Sequence, residues 1–249
     1  MKKHLPNFLT MLNLACGTTA IVLTLEGQWQ WAVYLVLIAS LFDFLDGFSA
    51  RMLNARSETG KYLDSLADIV TFGVLPGVFI YTVFKVLFLN QVEGSTPLSF
   101  SLQWIMFGTV LIVPVFSAIR LARYNLKESE ESFFEGLPTP AHTLFWTGLF
   151  WQFMMDGTLF GTPLNVFFIW SIMLIMAFQM ILPVPMYSLK FEHLRLRGNL
   201  IRYLLLLASL VILLITGLAG LSVVILIYVL LSLLNLLFLT RFFRVSDHR

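Results

Sequence analysis

The stretch Asp43-Phe44-Leu45-Asp46-Gly47-Phe48-Ser49-Ala50-Arg51 closes an apolar run that begins at Gly27, and Gly60-Lys61-Tyr62-Leu63-Asp64-Ser65-Leu66-Ala67-Asp68 opens the next one. Four carboxylates therefore lie in sequence that otherwise reads as membrane-spanning helix. Each costs at least ~2.5–3.5 kcal/mol at the centre of a bilayer on insertion scales, so something must compensate them. At ~100° per residue, Asp43, Asp46, Gly47 and Ala50 share one helical face, while Gly60, Asp64 and Asp68 form an i, i+4, i+8 stripe on the following helix. An antiparallel hairpin turning in the polar segment Asn54-Ala55-Arg56-Ser57-Glu58-Thr59 puts Asp43 level with Asp68 and Asp46 level with Asp64. With a rise of ~1.5 Å per residue, all four sit roughly 12–20 Å from the turn.

The surrounding chain fits a membrane setting. Of its 249 residues 58% are hydrophobic and 12% charged, against ~45–50% and ~25% in soluble domains, and the mean hydropathy is +0.85. Spans of ~20 residues are expected at Phe8 to Leu25, Gly27 to about Met52, about 60 to 84, Gly94 to Ile119, Leu137 to Met155 and within Gly157 to Ser188. The run from Tyr203 to Thr240 is too long for one span, and Gly217 and Gly220 mark a break that gives a seventh and an eighth. Eight spans put all the even-numbered connections and both termini on one side. All of the 16 Lys and Arg residues but Lys85 then fall on that side, which the positive-inside bias makes cytoplasmic. The expected fold is an all-α, multi-pass integral membrane protein of about eight transmembrane helices, with residues 1–249 forming a single membrane domain.

Other features narrow the function. A net charge of +2 provides no field for gripping a nucleic acid. Cys16 is the one cysteine, which excludes a disulfide framework and Cys-based clusters. Lys2 and Lys3 before an apolar run also describe a signal peptide, but Asn13 stands where a lipoprotein cleavage site wants Leu. Cys16 reads as a small apolar residue within a span.

Four converging carboxylates repel one another unless cations or protons neutralise them. Arg51 and Lys61 carry two positive charges between them, whereas two divalent ions balance all four. No His or Cys occurs between Cys16 and His142, so the donor set is oxygen only. That favours Mg²⁺ or Mn²⁺, with Ca²⁺ compatible, over Zn²⁺. Gly47, Ala50 and Gly60 suit close approach of a bulky group to the backbone. Spacing alone leaves three readings open: carboxylates paired with Arg51, Arg56 or Lys61, a transporter's cation site, and a catalytic metal site. Matched depth beside glycines and an arginine favours a phosphate-containing ligand.

Asp43-x-x-Asp46-Gly47-x-x-Ala50-Arg51, eight residues, then Gly60-x-x-x-Asp64-x-x-x-Asp68 resembles the signature of the CDP-alcohol phosphotransferases, with all eight fixed positions present across 26 residues. Those membrane enzymes displace CMP from a CDP-linked lipid or alcohol with a second alcohol, using divalent metals. The resemblance implies that Asp43, Asp46 and Asp64 hold the metals, and that Asp68 contacts one metal and takes the proton from the attacking hydroxyl. It assigns Gly47, Arg51 and Ser57 to the CDP-lipid. The opening Pro6-Asn7-x-x-Thr10 is similar to the family segment that closes over the nucleotide, which adds Asn7. A catalytic core over about residues 1–188 with additional helices at about 200–243, and a homodimer, are implied in the same way.

Arg120-Leu121-Ala122-Arg123-Tyr124-Asn125 and Phe134-Glu135-Gly136-Leu137-Pro138-Thr139-Pro140-Ala141 resemble the segment marking membrane-embedded phosphatidylserine synthases. The implied reaction joins CDP-diacylglycerol to L-serine, giving phosphatidylserine and CMP at a site facing the cytoplasm. Arg120 and Arg123, at i and i+3, offer guanidinium groups to the serine carboxylate, or anchor the helix end at lipid head groups. The competing readings are a sister enzyme using glycerol 3-phosphate or inositol phosphate, and a cation-coupled transporter. The mixed-charge segment Lys127 to Glu135 reads as a solvated connection, His142 as a structural histidine, and Gly73-x-x-x-Gly77 as a packing face or, through Pro76, a kink.

Overall fold

The computed structural model describes residues 4–55, 57–90, 100–126, 134–159, 162–163, 165–186 and 199–246. Helix α1 (Leu5–Leu25) carries Pro6 in its first turn, where the missing N–H leaves no bond unmade. Its buried stripe is small and polar: Pro6, Thr10, Asn13, Gly17, Ala20 and Thr24. That stripe lets other backbones come close, and a Cβ at Gly17 would sit 2.1 Å from Thr71 Oγ1. A turn with Gly27 at φ +76° returns the chain into α2 (Trp29–Met52), which packs along α1.

The third expected span is one continuous helical run in three parts: α3 (Glu58–Asp68), a π-helical segment (Ile69–Val74) and α4 (Leu75–Asn90). The π segment has a local cause. Pro76 lacks the N–H that would bond the Phe72 carbonyl, and Thr143 Oγ1 donates to that carbonyl at 3.0 Å instead. Pro114 acts in the same way between α5 (Phe100–Val110) and α6 (Ile112–Leu126), where Leu111 forms a turn. Gly73 and Gly77 are the packing face: α6 meets them through Ser117 and Pro114, and Val110 at the end of α5 adds a contact at Gly77.

Helix α7 (Thr139–Asp156) is the central post. Phe145, Trp146, Gly148, Leu149, Phe150 and Phe153 are all buried, covering its whole circumference, as expected of a helix apolar all round. It touches α2, α4, α8 (Val166–Ile181) and α10 (Gly220–Ser246), and the Phe150 ring stacks on Phe79 at 4.2 Å. Two short ladders flank the bundle, β1 (Phe134–Glu135) with β4 (Pro185–Met186), and β2 (Thr158–Leu159) with β3 (Thr162–Pro163). Gly136 at φ +74° lies so close to the end of α8 that a Cβ would fall 2.5 Å from the Met180 carbonyl oxygen.

Among the described residues five helical stretches are long and apolar enough to span a bilayer: Leu5–Leu25, Trp29–Met52, Glu58–Phe88, Phe100–Leu126 and Leu200–Leu234. This is an all-α membrane protein. The last stretch, 35 residues, would reach about 52 Å as one rod, beyond a ~30 Å hydrocarbon core. It is broken by a 3₁₀ turn at Gly217–Ala219, with Gly217 at φ +61°, into α9 (Leu200–Thr216) and α10. The fourth span runs on to Leu126 rather than ending at Ile119, with Arg123 Nη1 held by the Ile181 carbonyl at 3.1 Å, and its expected start near Gly94 lies outside the described residues. The sixth lies within its expected range as a 16-residue helix, the β2–β3 hairpin taking up residues after Gly157. Helix α10 is packed into the bundle, with Ser222 Oγ donating to the Phe145 carbonyl at 2.9 Å.

The α7–α10 contact sets a stability test. A Cβ at Gly148 would lie 2.6 Å from the backbone N of Ser222, whereas one at Gly108 meets nothing within 4 Å. Gly148→Ala is expected to lower the thermal midpoint in detergent, by ~1–3 kcal/mol of stability, while Gly108→Ala leaves it unchanged or raised.

Candidate active site

Helix α2 ends in a Schellman turn. Asn54 takes the left-handed conformation at φ 48°, its N–H bonds the Arg51 carbonyl, and the Ala55 N–H reaches back to Ala50 O at 3.0 Å. Ser57 then caps α3, its Oγ accepting from the Gly60 N–H at 3.0 Å. Two capped ends separated by so few residues turn the chain between α2 and α3, and α1 packs against both. Asp43, Asp64 and Asp68 each bring a carboxylate oxygen to within 4.8 Å of the others. Asp46 points to a different neighbour, accepting from Thr10 Oγ1 at 2.6 Å.

The four acids divide into two overlapping tiers, Asp43, Asp64 and Asp68 in the close cluster and Asp46 and Asp64 at a cavity. Asp46 and Asp64 line this cavity of about 450 Å³ together with Pro6, Asn7, Thr10 and Gly47, and Ser57, Gly60 and Lys61 border it at the turn. Asp43 and Asp68 do not line it. A Cβ on Gly60 would stand 2.9 Å from Asn7 Oδ1 and 3.0 Å from Ser57 Oγ, so the α1–α3 wall of the cavity has no room for a side chain there. Gly47 is open on the cavity side, with Arg51 Nη1 its nearest neighbour at 3.9 Å from a built Cβ. The site therefore gathers Asn7, Gly47 and Ser57 around the cavity, with the exposed Arg51 at its edge.

The two arginines part company. Arg123 Nη1 donates to the Ile181 carbonyl at 3.1 Å, capping the end of α8. Arg120 is turned inward, with a buried Nε that meets no partner, and lies within electrostatic reach of Asp68. Lys61 is likewise occupied, its Nζ donating to the Asn125 carbonyl at 2.7 Å. His142 is fully buried and accepts from Trp146 Nε1 at 3.1 Å, away from the cavity, which is the structural role expected of it. The Lys127 to Glu135 segment falls outside the described residues up to position 133, and Glu135 pairs with Pro185.

Asn13 is the site residue that spacing did not single out. It is fully buried, and its Nδ2 donates to Asp68 Oδ1 at 3.4 Å. The available signal was the polar stripe Pro6, Thr10, Asn13, Gly17 on α1, which has helical periodicity but no charge.

The acidic cluster fits a hard divalent ion. The donor set is carboxylate oxygen, three ligand atoms are close enough to share one cation, and the buried Asp64 Oδ1 has no hydrogen-bond partner. An anionic cluster left without a protein donor at such an atom is what a metal site needs and what a structural ion pair would not leave.

A membrane bundle that gathers carboxylates beside a cavity is a setting in which a divalent ion and a polar ligand can meet. Residues 3–185 match the model of the CDP-alcohol phosphatidyltransferase family, and the chain belongs to that family. The CDP-diacylglycerol–serine O-phosphatidyltransferase of Mycobacterium leprae (strain TN) is 36% identical over 152 residues, 58% of this chain and 46% of that protein. The protein of that name in Bacillus subtilis (strain 168) is 33% identical over 137 residues, covering 55% of this chain and 70% of its own length. An archaetidylserine synthase of Methanothermobacter thermautotrophicus (strain Delta H) is 34% identical over 139 residues, with 55% and 53% covered. The chain spans about half the length of the mycobacterial relatives it matches.

Asp64 joins both tiers, so its removal should weaken metal binding most directly. Asp64→Asn is expected to reduce Mn²⁺ affinity, read by electron paramagnetic resonance of the free ion, by more than the ~10–100-fold typical of an outer-shell change. Thr10→Val, which removes the hydrogen bond to Asp46, should fall within that range.

Proposed function

We propose that this protein transfers a phosphatidyl group from CDP-diacylglycerol to the hydroxyl of L-serine, releasing CMP and forming phosphatidylserine. The observation that carries the reading is the juxtaposition of the carboxylate cluster with a cavity of about 450 Å³, a volume in the range of small-ligand sites. The relatives' names supply the acceptor. In this reading Asn7, Gly47, Arg51 and Ser57 hold the CDP part, and Asp43, Asp46, Asp64 and Asp68 hold divalent metal, two ions of Mg²⁺ or Mn²⁺. Metal bound there supplies charge stabilisation for the phosphoryl oxygens and the departing CMP.

The chain's own groups do the rest. Asp68 takes the proton from the serine hydroxyl, which requires contact within ~2.6–3.2 Å or through one water. The serine oxygen forms its bond to the lipid-bearing phosphorus. The bond from that phosphorus to the bridging oxygen breaks, and CMP leaves with the electron pair.

A phosphorylated acceptor such as glycerol 3-phosphate would call for several cations facing the site. Lys61 and Arg123 are bound to backbone carbonyls, which supports a less charged acceptor, with Arg120 rather than Arg123 as the guanidinium for the serine carboxylate. The reading also holds eight spans with both termini and the site on the cytoplasmic side, in keeping with the basic residues at the hairpin and at the end of α6. Homodimerisation belongs to it on family likeness alone.

CMP release from CDP-diacylglycerol tests the reaction. It should require serine, stop with EDTA, return with Mg²⁺ or Mn²⁺, and fall ~10²–10⁴-fold in Asp68→Asn. Serine-independent release, with glycerol 3-phosphate as the better acceptor, would reassign the substrate. Ion flux in liposomes without CMP release would reassign the protein to transport.

A further inference from the structure

The Asp68 side of the carboxylate cluster contains two buried polar atoms with unmet hydrogen-bonding capacity. One is Asn13 Oδ1, which meets no partner although Asn13 is fully buried. Its orientation follows from chemistry: an ionised carboxylate only accepts, so the amide nitrogen faces Asp68 and the oxygen is left as an acceptor. The other is Arg120 Nε, a donor. Contacts along the two helical runs fix the level of Arg120. Gly77 meets Val110 and Pro114, Gly73 meets Ser117, and Ser65 Oγ accepts from Asn125 Nδ2 at 2.6 Å. In this antiparallel ladder the level of Asp68 falls at Ala122, and Arg120 stands two residues along the helix from it, ~3 Å in rise.

Neither Asn13, Asp68 nor Arg120 lines the cavity bounded by Asp46 and Asp64. The unmet donor and acceptor thus lie outside the space assigned to the nucleotide, with Asn13 bonded to Asp68 and Arg120 within electrostatic reach of it. In-line displacement places the entering and leaving oxygens on opposite faces of phosphorus, so the acceptor alcohol belongs on the Asp68 side. A leftover acceptor, a leftover donor and a carboxylate are the complements of an ammonium, a carboxylate and a hydroxyl.

We propose that Asn13 is a specificity-determining residue whose Oδ1 receives the ammonium of the acceptor, while Arg120 receives its carboxylate and Asp68 its hydroxyl. The assignment rests on the serine reading above and deepens it, by giving the site a reason to take a zwitterionic hydroxy amino acid. A polyol phosphate has no cation to offer Asn13 and leaves a buried acceptor unpaired. Buried groups left unpaired discriminate strongly against the analogue that lacks their partner.

The test uses the full-length protein with three acceptors: L-serine, 3-hydroxypropionate, which lacks the ammonium, and ethanolamine, which lacks the carboxylate. Wild type should favour serine over each by at least ~100-fold in kcat/KM for CMP release. Asn13→Ala should raise the serine KM and shrink the preference over 3-hydroxypropionate by ~10–100-fold, leaving the preference over ethanolamine unchanged. Arg120→Gln should do the reverse. If Asn13 only orients Asp68 or packs α1, activity falls with all three acceptors in proportion and both preferences stay at their wild-type values, which overturns the proposal. Should Asn13→Ala be inactive with every acceptor, calorimetric binding decides: serine bound with wild-type affinity overturns the proposal, and weakened serine binding with unchanged 3-hydroxypropionate binding supports it. Wild-type protein that releases no CMP with serine would instead fail the underlying reading, which separates the two.

Discussion

Placing four carboxylates within apolar helices is the constraint on which the rest of this structure depends. Ionised groups in a low-dielectric interior must find compensation close at hand, and the chain provides part of it in hydrogen bonds. Thr10 reaches Asp46 and Asn13 reaches Asp68, both from the stripe of α1 that holds no apolar side chain larger than Pro. The remaining negative charge is left for a cation. Of the neighbouring basic side chains only Arg120 comes within electrostatic reach of the cluster, at Asp68, while Lys61 and Arg123 donate to main-chain carbonyls and Arg51 lies exposed along its own helix.

Helices that carry no chemistry determine where the acids meet. Pro76 cannot bond the Phe72 carbonyl, and the helix widens into a π turn immediately after Asp68. Thr143 of the central helix satisfies the carbonyl set free, tying the helical run that carries Asp64 and Asp68 to the most deeply buried element of the bundle. Thr71, inside the same widened turn, donates to the Asn13 carbonyl at 3.3 Å. One proline therefore links the position of Asp68 to both α1 and α7, and such π turns recur at functional sites for this reason. Gly73 and Gly77 bring α6 close enough for Arg120 to stand beside the same carboxylate.

Much of the site was legible in the residues. The i, i+3 and i, i+4 spacing of the acids determined their common faces, because the helical period is fixed by backbone geometry. Gly60 announced close approach, and Gly217 announced the break between the last two helices. The role of Asn13 was not legible, since an uncharged amide in an apolar run looks like any tolerated polar residue until its neighbour is known. The pair Arg120 and Arg123 looked equivalent at i and i+3, yet one faces Asp68 and the other caps α8.

The sequence by itself determined that acidic residues from two consecutive helices converge within a membrane, because local geometry and the cost of buried charge leave little alternative. Only the tertiary structure decided which partners each acid meets, which arginine turns inward and how α1, α6 and α7 close around Asp68. Those choices depend on contacts between residues 36 to 71 positions apart, and side-chain packing, rather than periodicity, selects among them.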